Sequence, residues 1–427
     1  MISADVLIEE LQAGRWDERL TDIYVDTDML PYERKRYINA IKKFKEIFGK
    51  NDIQIYSAPG RTEICGNHTD HQNGQVLAAA INRDIIAVVS ENMGSIRIKS
   101  GNDELIELDI NDMDTIAYEE GTSKALVAGM LFEFQKNGYD VRGFDAYLDS
   151  DVPKGAGLSS SAAFEIVIGT ILSGMFNDME VSPVKMAFIG QTAENEYFGK
   201  PCGLMDQLAC SVGDLIYIKF LNNSAPQISK VGFELEKKGY CICITDTAAS
   251  HSDLTKDYAA VRDEMTAAAK CLGKDKLSDI TADEIIENAG NIRECCGDRA
   301  FLRALHYVSE NNRVQKAKAA IERDDMAEYI KIIRDSGNSS YKYLQNVYSQ
   351  MDVTHQSLSI AMALSEQILD EDETVRVHGG GFAGTIQAYV RNENVGKYSE
   401  YMDTFFGKEA CKVLRIRKYG GLKVFTG

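Results

Sequence analysis

The sequence predicts a two-domain α+β fold, and three observations support this. The chain has 427 residues, which at about 100 to 200 residues per domain indicates two or three domains rather than one. Hydrophobic residues make up 44% of it, an ordinary value for a globular protein. Helical and strand-like patterns occur in both halves of the chain, without a repeat or a low-complexity linker. We place the domains at residues 1–215 and 216–427.

The first half begins with a charged, helical segment of about fifty residues, which we expect to cover the domain that follows. The predicted strands are short apolar runs, several of them β-branched, at 53–58, 76–81, 85–90 and 144–148. The predicted helices have apolar residues at helical spacing, at 32–48, 122–137, 164–176 and 183–198. A polar loop fills the space between the first two strands, where a site is commonly held.

The second half reads in the same way, with long charged helices between strands. The predicted strands are 215–220, 241–246, 375–378, 385–390 and 413–419. The predicted helices are 256–272, 299–323, 326–344 and 395–406.

Composition excludes several classes of function. Against 47 Lys and Arg stand 65 Asp and Glu, a formal net charge of −18 that repels nucleic acids and anionic membranes. The longest apolar stretches, such as 166–177, fall short of the roughly 20 residues that span a bilayer, and the acidic start MISADVLIEELQ is unlike a signal peptide. The nine cysteines have no CxxC spacing. We therefore expect a cytoplasmic protein with reduced thiols and no membrane or nucleic-acid partner.

The stretch PKGAGLSSSAA, at 153–163, joins glycines, hydroxyls and the start of a helix. Gly155 and Gly157 permit backbone conformations that turn several N–H groups toward one anion, and Ser159 to Ser161 stand where the helix dipole is positive. A phosphate group fits such a place. The alternative is a glycine turn with a serine cap, but three serines are more than a cap uses.

Other nucleotide and hydrolase signatures are missing from the sequence. No Gly-Lys pair is followed by Ser or Thr, so there is no Walker A loop. The run GGGFAG at 379–384 satisfies GxGxxG but precedes the strand-like TIQAYV, where a dinucleotide fold needs a helix. No GxSxG element accompanies the preceding His378, which argues against a serine hydrolase.

The segment APGRTEICGNHTDHQNG, at 58–74, is crowded with hydrogen-bond donors and acceptors, the mixture that a hydroxyl-rich ligand requires. These side chains are Arg61, Glu63, Asn67, His68, Asp70, His71 and Asn73. A metal site through its histidines and a solvated loop remain alternatives.

The stretch FGKPCGLMDQLAC, at 198–210, holds a single acid, Asp206, in an apolar frame. An acid is costly to bury there unless it is paired or has a chemical task. A structural hydrogen bond is the alternative to a catalytic role.

Taken together, these segments resemble the GHMP small-molecule kinases, and within them most closely the galactokinases. The sugar-binding pattern GRxNxIGEHxDYxxGxVL is matched at 60–77, the phosphate loop PxGxGLSSSA at 153–162 and a late GxGFGG loop at 379–384. CGLMDQ at 202–207, Tyr258 and RALHYVSENNR at 303–313 extend the similarity, which covers the chain from about residue 50 onward. The resemblance implies a two-domain GHMP kinase fold with the active site in the cleft between the domains.

The resemblance also implies roles for single residues. Asp206 would accept the proton of the anomeric hydroxyl of galactose while Arg61 lies beside it as the second catalytic residue. Mg²⁺, brought with the co-substrate ATP, would be held by Ser160 and Glu194. The implied sugar contacts are Arg61, Asn67, His68, Asp70, Gly203, Asp206 and Tyr258, with Glu63 as a substitute contact. The implied ATP contacts are Lys154, Gly155, Ala156, Gly157, Leu158, Ser159, Ser160, Ser161 and Ala162. Sugar and ATP are the expected partners, and we expect a monomer.

Three departures from the galactokinase pattern leave alternatives open. Glu63 and Asn67 stand where the family has Asn and Glu, so the two residue types are exchanged. Either Glu63 restores the missing carboxylate and galactose remains the substrate, or Asn67 admits a C6 carboxylate and the protein is a galacturonate kinase. His71 and His378 replace a usual Tyr and Thr. Another sugar 1-kinase of the same family and a non-catalytic galactose and ATP sensor are further alternatives. The intact serine run and Asp206 favour an enzyme over a sensor.

Overall fold

The computed structural model describes residues 1–110, 118–153, 155–221, 224–249 and 254–425. Within these ranges, nine strands form a larger sheet and four form a smaller one. The strands are β1 (Ile2–Ser3), β2 (Asp52–Cys65), β3 (Gln75–Glu91), β4 (Ser95–Ser100), β5 (Ile106–Asp109), β6 (Phe144–Ser150), β7 (Leu215–Leu221), β8 (Ser224–Lys230), β9 (Tyr240–Asp246), β10 (Thr374–Val377), β11 (Thr385–Arg391), β12 (Cys411–Leu414) and β13 (Leu422–Lys423).

Helices occur in both halves of the chain and pack on the sheets. They are α1 (Ala4–Gln12), α2 (Asp17–Tyr24), α3 (Leu30–Phe48), α4 (Ser123–Lys136), α5 (Ser160–Phe176), α6 (Pro183–Thr192), α7 (Met205–Val212), α8 (Thr255–Cys271), α9 (Ala282–Glu287), α10 (Ala289–Cys296), α11 (Asp298–Glu322), α12 (Met326–Ser339), α13 (Ser357–Ile368) and α14 (Val395–Phe406). Helices α6 and α12 each continue into a π-helical turn, at Ala193–Tyr197 and Ser340–Leu344. None of the described helices is long and apolar enough to cross a bilayer.

The larger sheet has the strand order β1-β2-β3-β6-β4-β5, with β13 on β2, and β7 and β8 continuing from β3. The smaller sheet has the order β10-β11-β9-β12 and is antiparallel throughout. Strands β8 and β13 follow residue 215 in the chain yet pair in the larger sheet. The predicted domain division at this residue stays a prediction.

Strand β2 carries the first part of the predicted sugar-binding segment 58–74 and is longer than predicted. The sequence predicts a strand that ends at residue 58, a polar loop, and separate strands at 76–81 and 85–90. The structure instead has one continuous antiparallel pair of β2 and β3, with a register shift between Pro59 and Arg61. Proline is tolerated there because the bulge frees it from the hydrogen-bonded ladder. A Cβ atom on Gly60 would lie 2.7 Å from the carbonyl oxygen of Leu158, so glycine allows β2 to meet the 153–163 loop.

The first fifty residues form the covering element that the sequence predicts. Helix α3 ends at Phe48, and Gly49 follows in the left-handed region with φ 66°. Tyr37 and Phe44 of this helix are fully buried against Ile55 and Val88 of the larger sheet. Burying two aromatic side chains contributes several kcal/mol to stability, which holds these helices on the sheet.

Candidate active site

The 153–163 loop has the backbone that its glycines predict. Gly155 and Gly157 have φ of 80° and 69°, and Ser159, just before α5, also lies in the left-handed region with φ 55°. Helix α5 begins at Ser160, so its first N–H groups have no partner within the helix and point with the positive end of the helix dipole into the loop. The loop can therefore hold an anion. Lys154 lies outside the described residues.

Asp206 lies in the first turn of α7, and two other motifs meet at its carboxylate. Arg61 donates from Nε to Oδ1 at 2.7 Å and from Nη2 to Oδ2 at 2.6 Å, while the Ser159 hydroxyl donates to Oδ2. The third nitrogen of Arg61, Nη1, donates to the carbonyl oxygen of Gly157. Arg61 thus connects Asp206 to the 153–163 loop, which we call the phosphate-type loop below.

The surroundings keep Asp206 ionised. Burial alone would raise its pKa, but the charge of Arg61 and the hydrogen bonds from Arg61 and Ser159 hold the pKa below its ordinary value of 3.8. The Asp206 side chain is still 28% exposed, whereas that of Arg61 is 9% exposed. An incoming hydroxyl group can therefore reach an acceptor that is charged at neutral pH.

Asp70 and Gly203, two of the residues predicted to contact sugar, come together in the structure. A Cβ atom built on Gly203 would lie 2.8 Å from Oδ2 of Asp70. The glycine therefore leaves room for this carboxylate, which carries four lone-pair positions for hydroxyl groups.

We expect Gly203→Ala to raise the KM for the sugar about tenfold, because the added methyl group displaces the Asp70 carboxylate. Steady-state kinetics with varied sugar would measure it. Gly290→Ala is the matched control, since a Cβ atom there meets nothing within 4 Å. Equal KM values for the two variants would contradict a sugar contact at Asp70.

The late glycine loop at 379–384 is held by other residues of the predicted sugar site. Asn67 Nδ2 donates to the Gly379 carbonyl oxygen at 2.7 Å, His68 Nε2 lies 3.0 Å from that of Gly380, and the Tyr258 hydroxyl donates to that of Gly381 at 2.9 Å. The carbonyl accepts in each case, which places a proton on His68 Nε2. Burial raises the pKa of Tyr258 to about 12, so its hydroxyl stays protonated.

The exchanged pair Glu63 and Asn67 is buried and mutually hydrogen-bonded. Asn67 Nδ2 lies 3.2 and 3.3 Å from the two carboxylate oxygens of Glu63, and Arg376 Nη2 donates to Glu63 Oε1 at 3.0 Å. Glu63 is 5% exposed and Asn67 1%. Burial raises the pKa of Glu63, which the charge of Arg376 opposes. The carboxylate of Glu63 thus lies four residues before position 67, where the family pattern has its glutamate, and is hydrogen-bonded to the side chain of Asn67 at that position.

The two histidine departures are also buried, with different surroundings. His378 bridges Thr62 Oγ1 at 3.0 Å and Thr385 Oγ1 at 2.9 Å, and Thr385 in turn donates to the Ala156 carbonyl oxygen of the phosphate-type loop. Burial lowers the pKa of His378 to about 3, so it is neutral and supports the loop through hydrogen bonds. His71 has neither ring nitrogen hydrogen-bonded within the described residues, and burial lowers its pKa to about 4. No group of three or more His, Cys, Asp or Glu within the described ranges is placed to bind a metal.

Glu194, one of the two predicted magnesium ligands, belongs to a buried polar cluster. Glu194 is 2% exposed; its Oε1 accepts from Lys200 Nζ at 2.9 Å and its Oε2 from Gln207 Nε2 at 2.9 Å. Gln207 also donates to Glu165 Oε2 at 3.0 Å, and Oε1 of Glu165 is buried without a hydrogen-bond partner among the described residues. Burial, followed by the charge of Glu194, raises the pKa of Glu165 well above its usual range.

A cavity of about 880 Å³ opens beside the start of α5, and no sequence motif identified it. Ser160 and Ser161 are among its lining residues. Its apolar lining is Ile85, Leu105, Ile106, Tyr118, Leu126, Phe164 and Phe198. These residues come from five separate stretches of chain, so only their apolar character was visible in the sequence. The cavity is large and apolar enough for a planar organic group next to the anion-binding loop.

The GHMP kinases N terminal domain model matches residues 125–214, which include α5 and Asp206. The crystal structure of Lactococcus lactis galactokinase complexed with galactose superposes with a TM-score of 0.75 at 24% identity, covering 90% of this chain and 98% of that one. Fold and site therefore define a kinase of the GHMP class.

The galactokinase galactose-binding signature matches residues 42–91, the stretch around β2 and β3. Galactokinases of Actinobacillus pleuropneumoniae serotype 3 and Glaesserella parasuis serovar 5 are 32% and 31% identical, over 83% of this chain and 90% and 89% of their own lengths. The chain belongs to the galactokinase family.

Proposed function

We propose that this protein transfers the γ-phosphoryl group of ATP to the C1 hydroxyl of galactose, giving galactose 1-phosphate and ADP. The contact of Asp206 with both Arg61 and Ser159 is the observation that carries the proposal. It brings an ionised acceptor within hydrogen-bond reach of the phosphate-type loop. A sugar hydroxyl bound at that acceptor would lie next to the terminal phosphate of a bound nucleotide, as direct transfer requires.

In the proposed mechanism, Asp206 accepts the proton of the C1 hydroxyl as its oxygen attacks phosphorus. Arg61 holds the carboxylate in place. The positive charge of its guanidinium group can also stabilise negative charge on the transferring phosphoryl group. The Ser159–Ser161 hydroxyls and the N–H groups at the start of α5 hold the phosphates. Galactose is oriented by Asp70, His68 and the network of Glu63 and Asn67. The adenine base fits the cavity beside Ser160.

The donor groups at Ser160 and Glu194 fit magnesium, because a hydroxyl and a carboxylate are the hard oxygen ligands that Mg²⁺ prefers. Lys200 already supplies a positive charge to Glu194, and its side chain is 60% exposed, so it can move aside. When bound with ATP, the ion supplies charge neutralisation that the helix dipole, at about 0.3 to 2 kcal/mol, is too weak to provide.

Ser160→Ala is expected to raise the magnesium concentration needed for half-maximal rate about tenfold, with a smaller change in kcat at saturating metal. Magnesium titration at a fixed total concentration of ATP would measure it. Ser161→Ala, in the same helical turn, is the matched control. An unchanged metal dependence in Ser160→Ala would move the ligand to Ser159 or Ser161.

Release of ADP with galactose, ATP and magnesium tests the proposal as a whole. We expect turnover with galactose and a much lower kcat/KM with galacturonate, since the buried carboxylate of Glu63 repels a second one. Binding of galactose and ATP without ADP release would identify a sensor instead. A large preference for galacturonate would overturn the assigned substrate.

A further inference from the structure

A second cavity, of about 490 Å³, lies between α11 and α12 and shares no lining residue with the candidate active site. The helices are joined by the short connection 323–325 and run antiparallel. Helix α11 contributes Arg313 and Lys316, while α12 and the turn after it contribute Lys331 and Lys342. Residues at a spacing of three or four lie on one helix face, so the two helices turn these cations toward one groove.

The groove is basic in a strongly acidic protein. Its four cations outnumber its two carboxylates, Glu328 and Asp335, in a chain whose net charge is −18. Within the described ranges, the three lysines of the groove form no ion pair. Positive groups without counterions inside a concave surface attract a small anion.

Arg313 supplies the more specific observation. Its Nε donates to Glu310 Oε2 at 2.7 Å, but its Nη2 is buried and has no hydrogen-bond partner among the described residues. A buried donor without a partner is costly, and a guanidinium group pairs best with carboxylate or phosphate oxygens. The vacant donor therefore indicates where an anionic group binds.

We propose that this groove binds a small phosphorylated polyol, such as a sugar phosphate. Arg313, Lys316 and Lys331 match the phosphate, since Arg binds it through directed hydrogen bonds and Lys as a point charge. Glu328, Asp335 and the amide of Asn338 accept hydrogen bonds from hydroxyl groups, which a simple inorganic anion does not offer. A volume of about 490 Å³ lies within the range of small-molecule sites.

The groove is connected to the predicted sugar-binding segment 58–74 by two short chains of hydrogen bonds. Glu310, the partner of Arg313, accepts from the Gly66 N–H at 3.0 Å. On the other wall, Ser339 lies 2.9 Å from His306 Nδ1, and His306 Nε2 lies 3.0 Å from the Asn67 carbonyl oxygen. We therefore expect a ligand in the groove to change the affinity of the 58–74 segment for galactose.

Binding can be measured by calorimetry with the full chain, using glucose 6-phosphate, inorganic phosphate and glucose as probes. Saturating galactose and a non-hydrolysable ATP analogue keep the probes out of the active site. We expect glucose 6-phosphate to bind most tightly. Lys316→Gln/Lys331→Gln should weaken it about tenfold, since each exposed ion pair changes an equilibrium by up to about fivefold. Lys318→Gln/Lys397→Gln removes the same charge elsewhere and should leave binding within about twofold.

Equal weakening in both double variants, or no binding to the wild type, would overturn the site. Equal affinity for inorganic phosphate and glucose 6-phosphate would overturn the assigned ligand class. These outcomes are distinguishable from failure of the proposed function, because the comparison of the two double variants measures binding at the groove and requires no turnover.

The connection to the sugar loop is tested by kinetics, and this part rests on the proposed function. Glucose 6-phosphate should change the KM for galactose by about fivefold or more, at nearly constant kcat. The change should disappear in Lys316→Gln/Lys331→Gln and persist in the control. Persistence in both variants would mean competition at the active site and would overturn the connection.

Discussion

Asp206→Asn is expected to lower kcat by about 10²- to 10⁴-fold, the usual contribution of a positioned general base. Asparagine keeps the shape of the side chain but cannot accept the proton of the C1 hydroxyl. Its amide also places an N–H group against Arg61 or Ser159, where the carboxylate accepted hydrogen bonds. Initial rates of ADP release at saturating galactose and MgATP would measure the loss, and near-normal turnover would refute the assigned role.

A matched control separates loss of the base from loss of an ion pair. Asp17 is also held by two nitrogens of one arginine, Arg34. The Asp17 side chain is 32% exposed, a fraction similar to that of Asp206. It lies on α2, among the covering helices. Asp17→Asn should therefore lose a little stability and leave kcat unchanged. Circular dichroism and thermal unfolding of both variants would show that they are folded.

The pH dependence follows from the same contacts. The folded pKa of Asp206 is depressed, so its ion pair stabilises the protein above the ordinary aspartate pKa and is lost as pH falls through the lower, folded value. The base is thus already ionised throughout the neutral range. We therefore expect that any fall in kcat between pH 8 and pH 5 does not arise from Asp206. The pH dependence of kcat would be measured for the wild type and for Asp206→Asn. A fall in kcat within that range that is present in the wild type and absent from the variant would contradict the assignment.

Much of the secondary structure follows from local patterns. Helix α3 was predicted to end at Phe48 because Gly49 follows an apolar period, and the structure ends it there. The glycine conformations at 155 and 157 were predictable for the same reason, since only local backbone is involved. The β2–β3 pair was divided wrongly at Pro59, because a bulge that tolerates proline is fixed by pairing with a distant strand.

The convergence of the site depends on contacts that sequence spacing does not contain. Arg61 and Asp206 are 145 residues apart, and only the family resemblance placed them together. Arg376 pairs with Glu63 across more than 300 residues, and no motif marked it. The cavity beside Ser160 was missed because an apolar surface assembled from scattered residues looks like ordinary core in the sequence. The chemical role of single side chains was therefore predictable from the sequence, whereas the distant residues that they contact were not.

Exchanging Glu63 and Asn67 gives the second large effect, and the single and double variants should behave differently. Glu63→Asn leaves Arg376 as a buried charge without its carboxylate, which costs about 3 to 5 kcal/mol of unfolding free energy. Asn67→Glu places a second carboxylate where the amide now lies 3.2 Å from Glu63 Oε1, so two buried acids repel each other. Urea unfolding should show both variants to be strongly destabilised, with a raised KM for galactose.

The double variant Glu63→Asn/Asn67→Glu restores one acid and one amide to the network. Its carboxylate can again pair with Arg376 and accept a hydrogen bond from the neighbouring amide, so we expect most of the lost stability and galactose affinity to return. The coupling energy in the cycle should reach several kcal/mol, beyond the 0.5 to 3 kcal/mol common for contacting residues, because each single change leaves a buried charge unpaired. If the two losses simply add, the pair does not act as one exchanged unit, and Glu63 cannot be the residue that replaces the family's glutamate.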